Sequence, residues 1–238
     1  MTETGSPEGE PTLVVSEVFG PTFQGEGPTL GRRAAFVRLG RCNLDCRWCD
    51  TPYTWDWERF DPAVELDERQ VASVLAELEV MDVDRVVVTG GEPLLQQHRL
   101  LPLLEAATTR GWAVEIETNG TLAPTAATTD AVERFNVSPK TSNSGVARER
   151  AIVPDALASL LATGKAAFKF VATGVEDLDE IAAVVEAHDL APVYVMPEGT
   201  DASTVTARGR ALADAVNARG WHLTTRLHIL LWGDERGR

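Results

Sequence analysis

All three cysteines of this 238-residue chain, Cys42, Cys46 and Cys49, fall within the stretch "CNLDCRWCD". Thiolates at C-x3-C-x2-C spacing bind soft metals: zinc, copper(I), or iron in iron–sulfur clusters. A structural zinc needs a fourth ligand, usually from a second C-x2-C knuckle. The four histidines (His98, His188, His222, His228) lie far along the chain with no close pairing, so only a distant fourth ligand is open. A redox pair built on "CRWC" leaves Cys42 without a use. A [4Fe–4S] cluster ordinarily takes four cysteines. With three, one iron remains a Lewis-acidic position for an exogenous chelator.

Elements that could position such a loop are legible in the pattern. Short apolar runs predict strands over Leu13–Val18, Ala34–Leu39, Arg85–Thr89, Val114–Thr118, Phe135–Ser138, Ala167–Val171, Val193–Met196 and Leu227–Leu231. Near-continuous apolar character, as in "VVV" and "VYVM", marks buried parallel strands. Amphipathic stretches predict helices over 66–80, 98–110, 123–133, 154–163, 176–189 and 203–219. Alternation of this kind gives an α/β fold with a parallel sheet. Several strands end in "TGGEP", "ETNGT" or "SPK", small and polar residues that let backbone approach a ligand. C-terminal strand ends are where β/α barrels carry chemistry, so the expectation is one domain built as a partial, open parallel β/α barrel. Residues 1–10 read as a flexible tail, and 11–238 as the domain.

Composition excludes some classes. A formal net charge of -14 opposes a nucleic-acid backbone or an anionic membrane as main partner. No apolar run reaches the roughly 20 residues of a membrane helix. The acidic N-terminus has no signal-peptide core, and an odd cysteine count speaks against a disulfide framework, so the expected location is cytoplasmic.

S-adenosylmethionine, with its α-amino and carboxylate groups, suits an open cluster iron as a bidentate ligand. C-x3-C-x2-C with Trp48 before the last cysteine resembles the signature of the radical S-adenosylmethionine (SAM) superfamily, and "TGGEP" (89–93) resembles its GGE motif. The stretch "FGPTFQGEGPTLGRRAAFVRLGRCNLDCRWCDTPYTWD" (19–56), with "TGGEPLLQ", "ETNGT", "SPK" and "RLHILLWG", resembles the 7-carboxy-7-deazaguanine synthase family. The match spans most of the chain and is poor at about 141–165. It implies the partial barrel characteristic of radical SAM enzymes.

The same resemblance implies the site. Cys42, Cys46 and Cys49 would hold a [4Fe–4S] cluster, and Thr51 would be the protein ligand of Mg²⁺. Trp48, Cys49, Asp50, Gly90, Gly91, Glu92, Glu117, Asn119, Ser138, Pro139 and Lys140 would surround SAM. Phe23, Gln24, Gly25, Glu26, Arg38, Thr89 and His228 would bind the substrate. The residues read independently in the same sense. Gly25 and Gly27 free the backbone for a flat heterocycle, and Gln24 with Glu26 supply donor and acceptor groups for a pterin edge. Arg38 lies in the apolar run "AAFVRL", where a charge is costly unless paired. Competing readings are a solvated hairpin for "FQGEG", an outward arginine for Arg38, an N-cap or Asx-turn for Asp50–Thr51, and a core histidine for His228.

The implied reaction is a radical ring contraction. The reduced cluster cleaves SAM, the adenosyl radical takes hydrogen from C6 of 6-carboxy-5,6,7,8-tetrahydropterin, and 7-carboxy-7-deazaguanine forms with loss of ammonia. That is lyase chemistry of 7-deazapurine (queuosine-type) biosynthesis, a tRNA-modification pathway. Expected partners are the pterin, a flavodoxin or ferredoxin electron donor docking on Arg32, Arg33, Arg41 and Arg47, and a second copy in a homodimer. The rivals are a glycyl-radical-enzyme activase and a non-catalytic Fe–S or zinc module.

Overall fold

In the computed structural model, residues 11–238 are described; the expected tail, 1–10, lies outside the described residues. The chain runs β1 Thr12–Phe23, β2 Arg33–Leu39, α1 Pro62–Glu65, β3 Asp67–Gln70, α2 Val71–Glu79, β4 Arg85–Gly90, α3 Gln97–Thr109, β5 Ala113–Thr118 and α4 Ala126–Ala131. It continues β6 Arg134–Val137, α5 Arg148–Ala151, α6 Pro154–Ala162, β7 Ala166–Ala172, α7 Leu178–Ala187, β8 Val193–Pro197, α8 Ala202–Ala218, β9 His222–Leu223 and α9 Leu227–Trp232. One nine-stranded sheet has the order β3-β1-β2-β4-β5-β6-β7-β8-β9 and does not close. From β2 to β9 every pairing is parallel, while β1 pairs antiparallel with both β2 and β3.

Side-chain alternation divides each strand between two environments. Val37 and Leu39, Val86 and Val88, Val114 and Ile116, Phe135 and Val137, Phe168 and Phe170 belong to the main core, with Leu78, Leu100, Leu104, Leu157 and Ile181 from the helices. The opposite face carries Arg38, Thr89, Glu117, Asn136, Ser138 and Lys169, all of which line a cavity inside the half-barrel. A polar residue in an apolar run therefore marks an inward position, which answers the outward-arginine reading of Arg38. Below the cavity Phe19, Ala34, Phe36 and Val87 form a small apolar floor, with Phe19 and Phe36 stacked at 4.9 Å.

Two expectations are corrected. The helix expected over 66–80 starts at Val71, because Asp67–Gln70 instead pair with Thr12–Val15 along the open edge of β1. The expected last strand, Leu227–Leu231, is the helix α9. His222 and Leu223 already occupy the sheet edge beside β8, and a short apolar run fits either period.

Candidate active site

The cysteine loop follows β2 and is fixed by its neighbour strand. Gly91 donates to the Leu39 carbonyl at 3.0 Å and Glu92 N–H to the Arg41 carbonyl at 2.9 Å. A Cβ on Gly91 would lie 2.0 Å from the Arg41 oxygen, so glycine is required where β4 meets the loop. The three sulfurs line the cavity, and donors reach two of them: Leu44 N–H at 3.4 Å from Cys42 Sγ and the Trp55 indole N–H at 3.3 Å from Cys49 Sγ. Burial, with Glu92 and the other cysteines nearby, pushes the Cys42 thiol up to about 12. A bound cation reverses that balance and takes the sulfur as thiolate.

Among the described residues, the three ligand groups found within 4.8 Å of one another are Glu26, Asp50 and His228, not the cysteines. The three sulfurs do not all lie within that distance of one another. The Glu26–Asp50–His228 set does not itself fit a dication. Arg226 bonds both carboxylates, and Lys169 bonds Glu26 as well.

Around the loop, the cavity of about 520 Å³ takes in Trp48, Cys49, Asp50, Gly90, Gly91, Glu117, Asn119, Ser138 and Lys140. Lys140 donates to Ser138 Oγ at 2.8 Å and sits 5.3 Å from the Trp48 ring centre. Asn119 donates to Asn43 Oδ1 at 2.9 Å, tying the end of β5 to the loop. Glu92 and Pro139, expected beside the cofactor, are not part of the lining. Glu92 is 0% exposed, and its carboxylate accepts from Leu94 N–H, Thr118 Oγ1 and Asn119 N–H. It joins the end of β4 to the end of β5.

Across the cavity stand Phe23, Gln24, Gly25, Glu26, Arg38, Thr89 and His228. The "FQGEG" segment is no solvated hairpin. Gln24 is buried and donates to Glu117 Oε1 at 3.1 Å, while Thr89 donates to Glu117 Oε2 at 2.9 Å. Gly25 accepts from Leu227 N–H at 2.8 Å, and a Cβ there would meet His228 Nδ1 at 2.1 Å. Burial alone would raise the Glu26 carboxyl, but Lys169 and Arg226 outweigh it and hold it well below the usual range. Enclosure likewise pushes Asp50 up, and Arg226 prevails to lower it. Burial lowers His228, leaving its imidazole neutral at pH 7. Thr51 caps nothing with its side chain, its hydroxyl lying 3.7 Å from Cys49 Sγ at the cavity wall.

Lys169 and Arg226 also line the cavity without being among the expected site residues. Lys169 sits in "AAFKFVA" on β7, and this is the signal by which Arg38 was recognised. Arg226 stands two residues before His228 and reaches Glu26 across the sheet, a contact no local pattern reveals. Trp48 is also oriented by a residue not singled out: its indole N–H donates to Asn143 Oδ1 at 3.3 Å, and Asn143 is held by Asp177.

A family model described as the radical SAM superfamily matches residues 37–170. A 7-carboxy-7-deazaguanine synthase from Pyrobaculum aerophilum is 39% identical over 96% of this chain and 98% of its own length. One from Halobacterium salinarum is 32% identical over 94% and 92%. The crystal structure of QueE from Escherichia coli superposes with a TM-score of 0.70 over 91% of this chain and 95% of that one; at 24% identity this is a likeness of fold. No described helix is long and apolar enough to cross a membrane.

Proposed function

The chain belongs to the 7-carboxy-7-deazaguanine synthase family of the radical SAM superfamily, and from that premise we propose that its cavity converts 6-carboxy-5,6,7,8-tetrahydropterin to 7-carboxy-7-deazaguanine with release of ammonia. The reaction is then a carbon–nitrogen lyase step, within a domain spanning residues 11–238. One observation carries the reading: Cys42, Cys46 and Cys49 line the same cavity as Arg38, Glu26 and His228.

A [4Fe–4S] cluster on Cys42, Cys46 and Cys49 with SAM beside it supplies, when bound, one-electron reduction and abstraction of an unactivated hydrogen atom. The chain's own residues bind and orient. Lys140 and Ser138, on one side, and Asn119, on the other, offer donors and acceptors to the cofactor's polar groups, with Trp48 as an apolar face. Among the described residues the terminal nitrogens of Arg38 have no partner, so they are available to a carboxylate in the forked geometry guanidinium favours. Glu26 stays ionised and accepts from heterocycle N–H groups, Gln24 adds backbone contacts at a fixed place, and neutral His228 donates or accepts one hydrogen bond. The half-barrel walls exclude water from the reacting carbon. Thr51, at the cavity wall beside Cys49, would be the protein ligand of a Mg²⁺, which would supply Lewis-acid polarisation of the substrate carboxylate with few protein ligands, as magnesium prefers. A negatively charged flavodoxin or ferredoxin is the proposed electron donor, the chain acting as a homodimer in the cytoplasm.

Anaerobic reconstitution with iron and sulfide, followed by incubation with SAM, a reductant and the carboxytetrahydropterin, tests the reading by mass analysis. The deazaguanine product is expected with the native chain and absent from Cys46→Ala. Turnover of SAM without any deazaguanine would leave the substrate assignment untenable.

A further inference from the structure

Arg38 is aimed by a residue that no site reading includes. Glu17 on β1 lies directly across the antiparallel pair from Arg38 on β2. Its Oε1 accepts from Arg38 Nε at 2.5 Å and from the Tyr53 hydroxyl at 3.0 Å. The side chain of Glu17 is only 14% exposed, so its charge has few solvent partners. Occupying Nε from behind turns the two terminal nitrogens of the guanidinium forward, and the Phe19 ring supports its flat face at 5.4 Å. A flexible side chain thereby becomes a fixed fork.

The other oxygen of Glu17 belongs to the chain terminus. Arg236 bonds Glu17 Oε2 at 3.3 Å and Glu65 at 2.8 Å, and lies 4.0 Å from the Tyr53 ring centre. Asp234 to Arg238 form part of the cavity wall. One carboxylate therefore joins β1, β2, the segment following the cysteine loop, and the C-terminal residues.

We propose that Glu17, locked by Tyr53 and by Arg236 of the C-terminal segment, is the positioning residue that aims Arg38 at the substrate's carboxylate. Glu17 touches no substrate itself. It holds Arg38 in the binding geometry before the ligand arrives, so the ordering cost is met on folding and not on binding. Arg236 restrains the free side of Glu17, making the C-terminal segment part of carboxylate recognition. The inference rests on the reading of Arg38 as partner of the substrate carboxylate.

The test compares two ligands, 6-carboxytetrahydropterin and tetrahydropterin without the carboxylate, by anaerobic calorimetry on the full chain. The native protein is expected to favour the carboxylated pterin by about 10- to 100-fold, the range of a charge-assisted pair. Glu17→Ala is expected to shrink that ratio about tenfold while changing affinity for the plain pterin less than about twofold. Glu17→Gln keeps an acceptor behind Nε and should recover about half of the loss on a logarithmic scale. Arg236→Ala, at an exposed terminal position where folding is not at stake, should reduce the ratio about threefold. Equal weakening of both ligands by Glu17→Ala, no recovery in Glu17→Gln, or a native ratio in Arg236→Ala would overturn the proposal. If Arg38→Ala keeps the native ratio, the reading of Arg38 itself falls, and this inference with it.

Discussion

A carboxylate set as deeply as that of Glu26 ordinarily gains a proton, because burial removes the water that stabilises its charge. Here two cations reverse the outcome. Lys169 is itself buried, and although burial pulls its pKa down, Glu26 raises it above the ordinary value, so both partners stay charged. The sign for stability follows. A carboxyl whose folded pKa is depressed stabilises the fold above its unfolded value, near 4.5, and loses that contribution as pH falls toward the folded value. Replacing Lys169 by Met removes one cation, raises the folded pKa of Glu26 and moves the acid limit of stability upward. A loss of about 3 kcal/mol near neutral pH is expected, the size found when one partner of a buried pair is removed. Urea unfolding from pH 4 to 8 checks it; curves for native and variant that keep the same spacing at every pH would mean Lys169 does not govern that charge.

At the scale of elements, most strands could be read from sequence because each presents a continuous outer apolar face to the helices. Arg38 could be singled out as a charge inside an apolar run, and Thr89, Glu117 and Ser138 through the small and polar strand-end motifs; all four line the cavity. The edge strand β3 was not legible, since Asp67–Gln70 are polar and owe their extended form to the vacant side of β1. Nor was α9, whose start is set by a hydrogen bond from Leu227 N–H to Gly25, two hundred residues away in the chain. A sequence motif names Glu92 and leaves its rotamer undefined, so its hydrogen bonds to Leu94, Thr118 and Asn119 could not be read from the chain. Substitutions at two glycines test the cluster side and the substrate side of the cavity one at a time. Gly25→Ala drives a Cβ against His228, so pterin affinity should fall at least about tenfold while iron loading stays native. Gly91→Ala drives one into the Arg41 backbone, which cannot rotate aside, so the cysteine loop shifts and iron content per chain should fall by about half or more. Iron analysis and pterin titration on both variants read the contrast, and loss of iron in Gly25→Ala would show the halves to be mechanically one.

The molecule as a whole repels anions, with a formal net charge of -14, yet its cluster loop is edged by cations. Arg41 and Arg47 are exposed on the loop, and Arg150 reaches it from α5, bonding the Asn43 carbonyl at 3.0 Å and Asp45 at 3.0 Å. Arg32 and Arg33, expected in the same docking area, lie elsewhere, at the opposite end of β2, where Arg33 bonds the Met81 and Asp82 carbonyls. The exposed arginines of the loop are therefore Arg41 and Arg47, with Arg150 paired to Asp45 beside them. On the proposed reading, exposed cations here would attract an acidic protein donor against the chain's overall negative charge, steering as well as strengthening the encounter. Arg41→Glu with Arg47→Glu should slow turnover about tenfold or more when a flavodoxin or ferredoxin supplies electrons. With dithionite, a small reductant needing no docked orientation, the rate should stay within about twofold of native. Raising salt from 50 to 300 mM should weaken the native dependence on the protein donor and leave the dithionite rate level, because screening acts on exposed charges at protein–protein distances. Equal slowing with both reductants would place the two arginines in the chemistry of the loop, not in the encounter with its donor.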